Sequence, residues 1–171
     1  MRNWGSAGMP TMVSGCYRWA MPTLRKATAD DAALITLHRH SMFSDNAFAT
    51  EAHLATMDAN FEPWVKERLA DGRYMGLVME ENGVALASAG IFFADFPPHF
   101  LDTAAGRPYL TNFYTAPSAR GCGLAREMLA ACVAICRERG HKVVVLHASP
   151  FGRPIYEKFG FEQTNEMLLT L

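Results

Sequence analysis

A glycine-bearing turn, Arg120-Gly121-Cys122-Gly123-Leu124-Ala125, has the composition of an anion-binding site. It lies between a predicted strand and a predicted helix, and a helix start offers unpaired backbone N–H groups and about half a positive charge. Glycines have no side chain and accept positive φ angles, so the backbone can approach an anion closely. Arg120 adds a cation. The segment predicts a pyrophosphate site, with an ordinary glycine turn as the alternative.

Two other phosphate-binding motifs do not fit this turn. A P-loop needs a lysine directly after its last glycine, whereas Leu124 follows Gly123. A dinucleotide fingerprint needs three spaced glycines directly after the first strand. This turn has only Gly121 and Gly123, and it follows the fourth predicted strand. We therefore exclude both motifs.

The elements that must position this turn alternate along the chain as in an α/β fold with a mixed sheet. Asn82-Gly83 is typical of a tight hairpin between two strands, which makes part of the sheet antiparallel. Strand, helix and strand over 109–146 predict a right-handed parallel crossover. Strands are predicted at 24–27, 74–80, 84–93, 109–115, 142–146 and near Phe161 and Met167; helices are predicted at 32–38, 50–70 with a break between Asn60 and Pro63, 123–139 and 152–159.

Composition limits the function classes. The chain has 171 residues, 50% of them hydrophobic and 19% charged, with a net charge of −1. This balance argues against binding to the nucleic-acid backbone. No stretch approaches the roughly 20 apolar residues of a membrane span. We expect one soluble domain over 21–171, preceded by an extension over 1–20 that is poorly ordered or accessory.

The four cysteines are not spaced as metal ligands. Cys132 and Cys136 stand four apart in an apolar helical segment, which predicts two buried thiols. We therefore expect neither a metal nor a disulfide. Unpaired cysteines favour a reducing, cytoplasmic location.

Three segments of the chain carry matching motifs in order. Arg120-x-x-Gly123-x-Ala125 matches a motif Arg/Gln-x-x-Gly-x-Gly/Ala, and a strand-like segment precedes it, Asn112-Phe113-Tyr114-Thr115-Ala116-Pro117. A tyrosine-bearing segment follows it, Ile155-Tyr156-Glu157-Lys158-Phe159-Gly160-Phe161. Together the three segments resemble those of the GNAT acetyltransferases, and the resemblance covers about residues 22–171. It implies a central mixed sheet of about six or seven strands flanked by about four helices.

The resemblance also implies acetyl-CoA as co-substrate, without a metal. The strands at 109–115 and 142–147 are expected to splay apart around the pantetheine arm, and the Phe113 N–H is expected to donate to the developing oxyanion. Ser149 stands where many relatives have an asparagine, so it is a weaker expected contact. The cofactor-binding residues implied are Phe113, Tyr114, Thr115, Arg120, Gly121, Cys122, Gly123, Leu124, Ala125 and Ser149.

By the same resemblance, Tyr156 is the general acid beside the departing thiolate; a buried anchor for the last helix is the alternative. Many relatives carry a glutamate as base on the fourth strand, where this chain offers Asn112, which is not a base at neutral pH. Asp95, His99, His147 and bulk water therefore stay open as bases. His147 in an apolar strand also fits a local hydrogen bond.

These features predict an N-acetyltransferase that acts on a primary amine of a small molecule. A peptide or protein amine is one alternative, and a non-catalytic acyl-CoA sensor is another. The chain resembles a bacterial subgroup of the family, whose acceptor the sequence does not name, and a homodimer is expected by resemblance. The substrate-binding candidates are Phe43, Asp95, His99, Asn112 and His147.

Overall fold

The computed structural model of the protein describes residues 11–13, 16–18, 22–104, 106–164 and 166–169. Within these residues, no helix is both long and apolar enough to cross a membrane. The strands are β1 (Thr11–Val13), β2 (Cys16–Arg18), β3 (Thr23–Lys26), β4 (Tyr74–Glu81), β5 (Val84–Ala94), β6 (Arg107–Thr115) and β7 (Val145–Leu146). The helices are α1 (Ala32–Asp45), α2 (Glu51–Asp71), α3 (Leu124–Glu138) and α4 (Arg153–Phe159).

A five-stranded mixed sheet in the order β3-β4-β5-β6-β7 forms the centre of the fold. Strands β3 to β6 pair antiparallel with one another, and β7 pairs parallel to β6. Asn82 and Gly83 have φ angles of 51° and 77° in the turn between β4 and β5. The mixed α/β fold, the hairpin and the parallel crossover predicted from the sequence are confirmed.

The structure corrects the predicted strand count. The closing strands expected near Phe161 and Met167 are absent from the described parts of 161–169. An extended segment becomes a strand only when its backbone pairs with a neighbour. Met167 and Leu168 are each 94% exposed, so this segment is not packed on the sheet of its own chain.

The expected break in the second helix is also wrong, because α2 runs without interruption through Pro63. Thr50 caps its start by accepting a hydrogen bond from the His53 N–H, and Gly72 ends it in the left-handed conformation. Val65 is fully buried two residues after the proline. Packing of this kind offsets the hydrogen bond that a proline removes from a helix.

Residues 1–20 were predicted to be an extension. Within them the structure describes β1 and β2, which pair antiparallel as a separate two-stranded sheet. The other residues of that segment lie outside the described part of the chain.

The two faces of the central sheet are covered differently. The face toward α3 carries a large apolar core that contains Leu110 and Ile91 from the sheet and Met128 and Leu129 from the helix. The opposite face, toward α1 and α2, has a smaller cluster around Tyr74, packed against aromatic side chains. The candidate site lies at the edge where both faces meet.

That edge is a wedge between β6 and β7. The two strands pair only at Tyr109↔Val145 and Leu110↔Leu146. Beyond these pairs they share no register, so the sheet opens toward the carboxyl end of β6. The Asp102 carboxylate accepts hydrogen bonds from the Lys142 and Val143 N–H groups, at 2.9 and 3.2 Å, which ties the chain before β7 to the loop before β6.

Candidate active site

The glycine turn leads directly into α3. Gly123 is the N-cap of this helix with φ of 84°, and no side chain caps the helix start. Gly121 also has a positive φ, 77°. Apart from the adjacent residues, no atom of the described part of the chain lies within 4 Å of the position that a Cβ would take at either glycine. The turn therefore presents an uncapped helix start beside open space, as an anion site requires.

Arg120, predicted as a cation for the pyrophosphate, already has partners in the protein. Its Nε donates to the Thr115 carbonyl at 3.0 Å, and its guanidinium forms an ion pair with Asp45 at the end of α1. The side chain is half exposed. Arg120 thus ties the turn to both β6 and α1.

The expectation that all four cysteines are unpaired is wrong at Cys122, which is disulfide-bonded. Cys122 lies in the glycine turn, so this disulfide constrains the backbone of the predicted pyrophosphate site. Cys132 and Cys136 are free and buried, as predicted. Burial raises the pKa of the Cys132 thiol to about 12 and that of Cys136 to about 11, which makes both poor nucleophiles.

A bulge interrupts β6 beside the wedge. Its register with β5 shifts between Ser88 and Gly90, and Asn112 has a positive φ of 56°. Asn112 and Phe113 consequently have no register partner on β5 or β7. A bulge leaves backbone groups outside the ladder and turns side chains to a new face. This places the predicted oxyanion donor, the Phe113 N–H, in the irregular part of the strand.

A buried network of side chains holds the bulge. Asn112 is 2% exposed; its Nδ2 donates to the Tyr74 hydroxyl at 2.9 Å, and its Oδ1 accepts from Arg39 at 2.5 Å. The Arg39 guanidinium lies between the rings of Phe43 and Phe61, at 4.8 and 4.6 Å. Both functional atoms of the Asn112 amide are thus used inside the protein. The asparagine predicted as a substrate contact positions the strand.

Tyr156 lies on α4 at the opposite side of the wedge. Its ring meets those of Phe113 and Phe161 edge-on, each at 5.9 Å between centroids. Burial raises the pKa of its hydroxyl to about 12, so the group is protonated at neutral pH. Among the residues that the structure describes, this hydroxyl has no hydrogen-bond partner. It is an available proton donor.

Ser149 begins the turn into α4. Its Oγ accepts from the Gly152 N–H at 3.1 Å, and its carbonyl accepts from the Arg153 N–H at 2.9 Å. A Cβ at Gly152 would lie 3.1 Å from the Tyr156 ring and 3.4 Å from the Ser149 Oγ. This close packing sets where the tyrosine points, and the predicted contact of Ser149 with the cofactor stays a prediction.

The remaining substrate candidates separate into two groups. Phe43 and Asn112 meet through Arg39 on the face toward α1 and α2. Asp95 is exposed in the loop after β5, and His99 pairs its backbone with Asp102 in the same loop. The His99 Nδ1 accepts from the Leu101 N–H at 3.3 Å, so that ring is engaged in its own turn.

His147, the last candidate, follows β7 directly. Its Nδ1 is 2.6 Å from the Tyr109 hydroxyl, and its Nε2 is 2.7 Å from a Glu166 carboxylate oxygen. Tyr109 and Glu166 were not predicted as site residues. They are 57 positions apart by their residue numbers, so no local motif could have linked them. The described residues contain no group of three or more His, Cys, Asp or Glu that could hold a metal ion.

Another pair missed by the sequence analysis lies deeper on the same face. The His38 Nδ1 is 2.8 Å from the Ser88 Oγ, and its ring is 4.6 Å from that of Tyr114. His38 is 6% exposed, and burial lowers its pKa, which keeps the imidazole neutral. Nothing in the local sequence of α1 indicates a hydroxyl partner 50 residues away.

A mixed sheet that opens between two parallel strands, with an uncapped helix start beyond the opening, defines an acyl-CoA-binding transferase fold. The sequence profile of the acetyltransferase (GNAT) family matches residues 34–161. The chain belongs to this family. Among curated proteins, no sequence matches the chain.

Three solved structures illustrate the relationship. A GCN5-related N-acetyltransferase from Ralstonia eutropha JMP134 is 36% identical, with a TM-score of 0.84 over 88% of this chain and 98% of that one. A predicted acetyltransferase from Clostridium acetobutylicum, solved with acetyl-CoA, is 33% identical, with a TM-score of 0.81 over 88% and 96% of the two chains. Glucosamine-6-phosphate N-acetyltransferase from Arabidopsis thaliana is 18% identical, with a TM-score of 0.65 over 88% and 98%, and shows the fold alone. The protein is therefore an acetyltransferase of this family.

Proposed function

We propose that the protein transfers the acetyl group of acetyl-CoA to a primary amine of a small molecule, by direct attack of the amine on the thioester. One observation carries this proposal. The wedge between β6 and β7 brings together a strand bulge at Phe113 and the available hydroxyl of Tyr156. Such a site can bind an acyl donor and assist its cleavage.

The residues of the turn fit the expected co-substrate. Gly121 and Gly123 leave open space where side chains would stand, and the start of α3 has no side-chain cap. Backbone N–H groups from Gly121 to Ala125 would hold the pyrophosphate, while backbone groups of Phe113 and Thr115 would hold the pantetheine amides. When bound, acetyl-CoA supplies an activated thioester carbonyl. Holding it beside the amine makes the reaction nearly intramolecular.

The chain's own groups then assist the transfer from fixed positions. The Phe113 N–H donates to the carbonyl oxygen as negative charge develops on it. The Tyr156 hydroxyl donates to the sulfur as the carbon–sulfur bond breaks. Burial raises the pKa of this phenol, and it would also raise that of a thiol leaving beside it. A hydrogen bond that shortens during the reaction therefore suffices, and complete proton transfer is not required.

Titration with acetyl-CoA in a calorimeter tests the binding site. We expect micromolar binding by the wild type and none by Gly123→Glu, because a carboxylate in the turn repels the pyrophosphate. Gly83→Ala, at a glycine of similar φ in the distant hairpin, is the matched control and should bind normally. A folded wild type that does not bind would contradict the proposal.

Measuring the release of free thiol with a panel of amines tests the reaction. Turnover with small amines supports the proposal, whereas turnover with peptides alone would favour a protein acceptor. Tight binding without turnover on any amine would favour a sensor domain. The homodimer and the cytoplasmic location stay predictions.

A further inference from the structure

Three side chains at the closed end of the wedge form a continuous hydrogen-bonded chain. The Tyr109 hydroxyl is 2.6 Å from His147 Nδ1, and His147 Nε2 is 2.7 Å from Glu166 Oε2. They come from β6, from the residue after β7 and from the carboxyl-terminal segment. The transfer described above leaves all three without a role and leaves open which group takes the proton of the amine.

With a neutral imidazole, the hydrogen bonds of this chain have one consistent direction. A glutamate carboxylate is ionised and can only accept, so His147 Nε2 carries a hydrogen and donates it to Glu166. In a neutral imidazole, Nδ1 is then an acceptor, and the Tyr109 hydroxyl donates to it. The lone pairs of the Tyr109 oxygen remain able to accept a proton from a further group. Hydrogen bonds of this direction would pass a proton from a substrate toward solvent. We refer to Tyr109, His147 and Glu166 as the relay.

The relay lies where the acyl end of the donor is expected. Strands β6 and β7 are paired at Tyr109 and Leu110 and are open beyond them. The glycine turn follows the far, open end of β6. A donor held by its pyrophosphate at that turn and by its amides along Phe113 and Thr115 directs its acyl group toward the closed end, beside Tyr109.

The relay and Tyr156, the proton donor to the departing thiolate, approach the wedge from opposite faces of the sheet. Leu110 belongs to the core beneath α3, and Phe113 and Tyr156 pack against that core. Neighbouring residues of a strand point to opposite faces, so Tyr109 points toward α1 and α2. Tyr109 nevertheless interacts electrostatically with Tyr156, as well as with Arg39 on α1. An acyl group between the two tyrosines has a base on one side and an acid on the other.

Resting on the proposed function, we propose that Tyr109, His147 and Glu166 act together as the general base. As the amine nitrogen bonds to the thioester carbon, its proton moves to the Tyr109 oxygen, and the hydroxyl proton of Tyr109 moves to His147 Nδ1. The carbon–sulfur bond breaks and the electron pair leaves with sulfur, which Tyr156 stabilises. The proton is held on an imidazolium beside Glu166 and is lost to water, since the His147 side chain is 63% exposed.

The other candidate bases lack this arrangement. His99 is engaged in the turn with Leu101, and Asp95 is exposed in the same loop. Among the described residues, the titratable and charged groups that interact with the relay from other elements are Arg39 from α1 and Tyr156 from α4.

The pH dependence of kcat for Tyr109→Phe and His147→Gln tests the relay, with His53→Gln on the exposed side of α2 as the matched control. Measurements with two amines of different pKa distinguish two limbs of the pH–rate profile. One limb reports ionisation of the amine and the other reports ionisation of the enzyme. We expect kcat to fall about 10²–10⁴-fold in both relay variants, with loss of the enzyme's acidic limb. The affinity for acetyl-CoA and the kcat of His53→Gln should stay at wild-type values.

Glu166→Gln separates a catalytic role of the carboxylate from a purely structural one, since an amide can still accept the hydrogen bond but carries no charge. We expect kcat to fall about tenfold, because the charge-assisted bond to the imidazolium is lost. Glu162→Gln, an exposed change in the same segment, should have no effect. Wild-type kcat and an unchanged acidic limb in Tyr109→Phe and His147→Gln would overturn the relay while leaving acetyl transfer intact.

A wild type that neither binds acetyl-CoA nor releases thiol would instead overturn the proposed function. If a relay variant fails to fold, nitrogen NMR of the wild-type histidines decides the matter. The relay requires hydrogen on His147 Nε2 at neutral pH, and hydrogen on Nδ1 would overturn it.

Discussion

The two faces of the central sheet contribute to the site by different means. Toward α3, the site consists of backbone: two glycines of positive φ, an uncapped helix start and the N–H of a bulged residue, all supported by an apolar core. Toward α1 and α2, it consists of side chains: the network of Arg39, Asn112 and Tyr74, and the chain from Tyr109 through His147. Backbone suits a donor common to the family, whereas side chains can differ with the acceptor.

Removing the hydroxyl of Tyr156 should have the largest effect and should sharpen this comparison. We expect Tyr156→Phe to lower kcat about 10²–10⁴-fold, because the departing sulfur loses its donor. The ring keeps its contacts with Phe113 and Phe161, so melting temperature and acetyl-CoA affinity should not change. Steady-state kinetics and calorimetry measure the three quantities. Wild-type turnover would remove Tyr156 from the mechanism and leave it as packing for α4.

A substitution at Gly90 should damage the face toward α1 and α2 specifically. A Cβ there would lie 1.8 Å from the Tyr74 hydroxyl oxygen, and Tyr74 is 2% exposed with no room to move. We expect Gly90→Ala to lower the free energy of unfolding by about 3 kcal/mol, at the upper end of overpacking costs. Urea denaturation measures it. Gly83→Ala, whose Cβ would meet no described non-adjacent atom within 4 Å, should cost only about 1–2 kcal/mol of backbone strain.

Folded Gly90→Ala protein allows a second measurement. Because Tyr74 holds Asn112 at the bulge that carries Phe113, Kd for acetyl-CoA should rise and kcat should fall. Wild-type values of both quantities would mean that this face of the sheet does not position the donor site.

The smallest effect is a pH dependence of stability from His38. Burial lowers its pKa in the folded state below the value of about 6.5 in an unfolded chain. The unfolded state therefore binds more protons below that pH, and His38 lowers stability as the pH falls through 6.5 toward the folded pKa. The slope reaches at most about 1.4 kcal/mol per pH unit.

Denaturation of the wild type and of His38→Gln between pH 5 and pH 8 checks this sign. The stability difference between the two proteins should change with pH in favour of the variant at low pH. His53→Gln, an exposed change on α2, should keep the wild-type slope, and an identical slope in all three proteins would contradict the assignment.

The sequence by itself determined the parts of this protein that depend on neighbours along the chain. Gly121 and Gly123 before a helical stripe predict an anion cradle, because a helix start and positive φ angles are local properties. Asn82-Gly83 predicts its hairpin for the same reason. The backbone of both turns has the expected positive φ angles, and anion binding at the first turn stays a prediction. The burial of Cys132 and Cys136 follows from the helical period alone.

Only the tertiary structure decided the side chains that meet across the wedge. Tyr109, His147 and Glu166 come from three separate segments, and the register of β6 with β7 brings the first two together. Asn112 turned inward because a bulge shifts the period of its strand by one residue, which no local signal reveals. Contacts of this kind depend on strand register and on packing between distant segments, and the amino-acid pattern of any one segment carries neither.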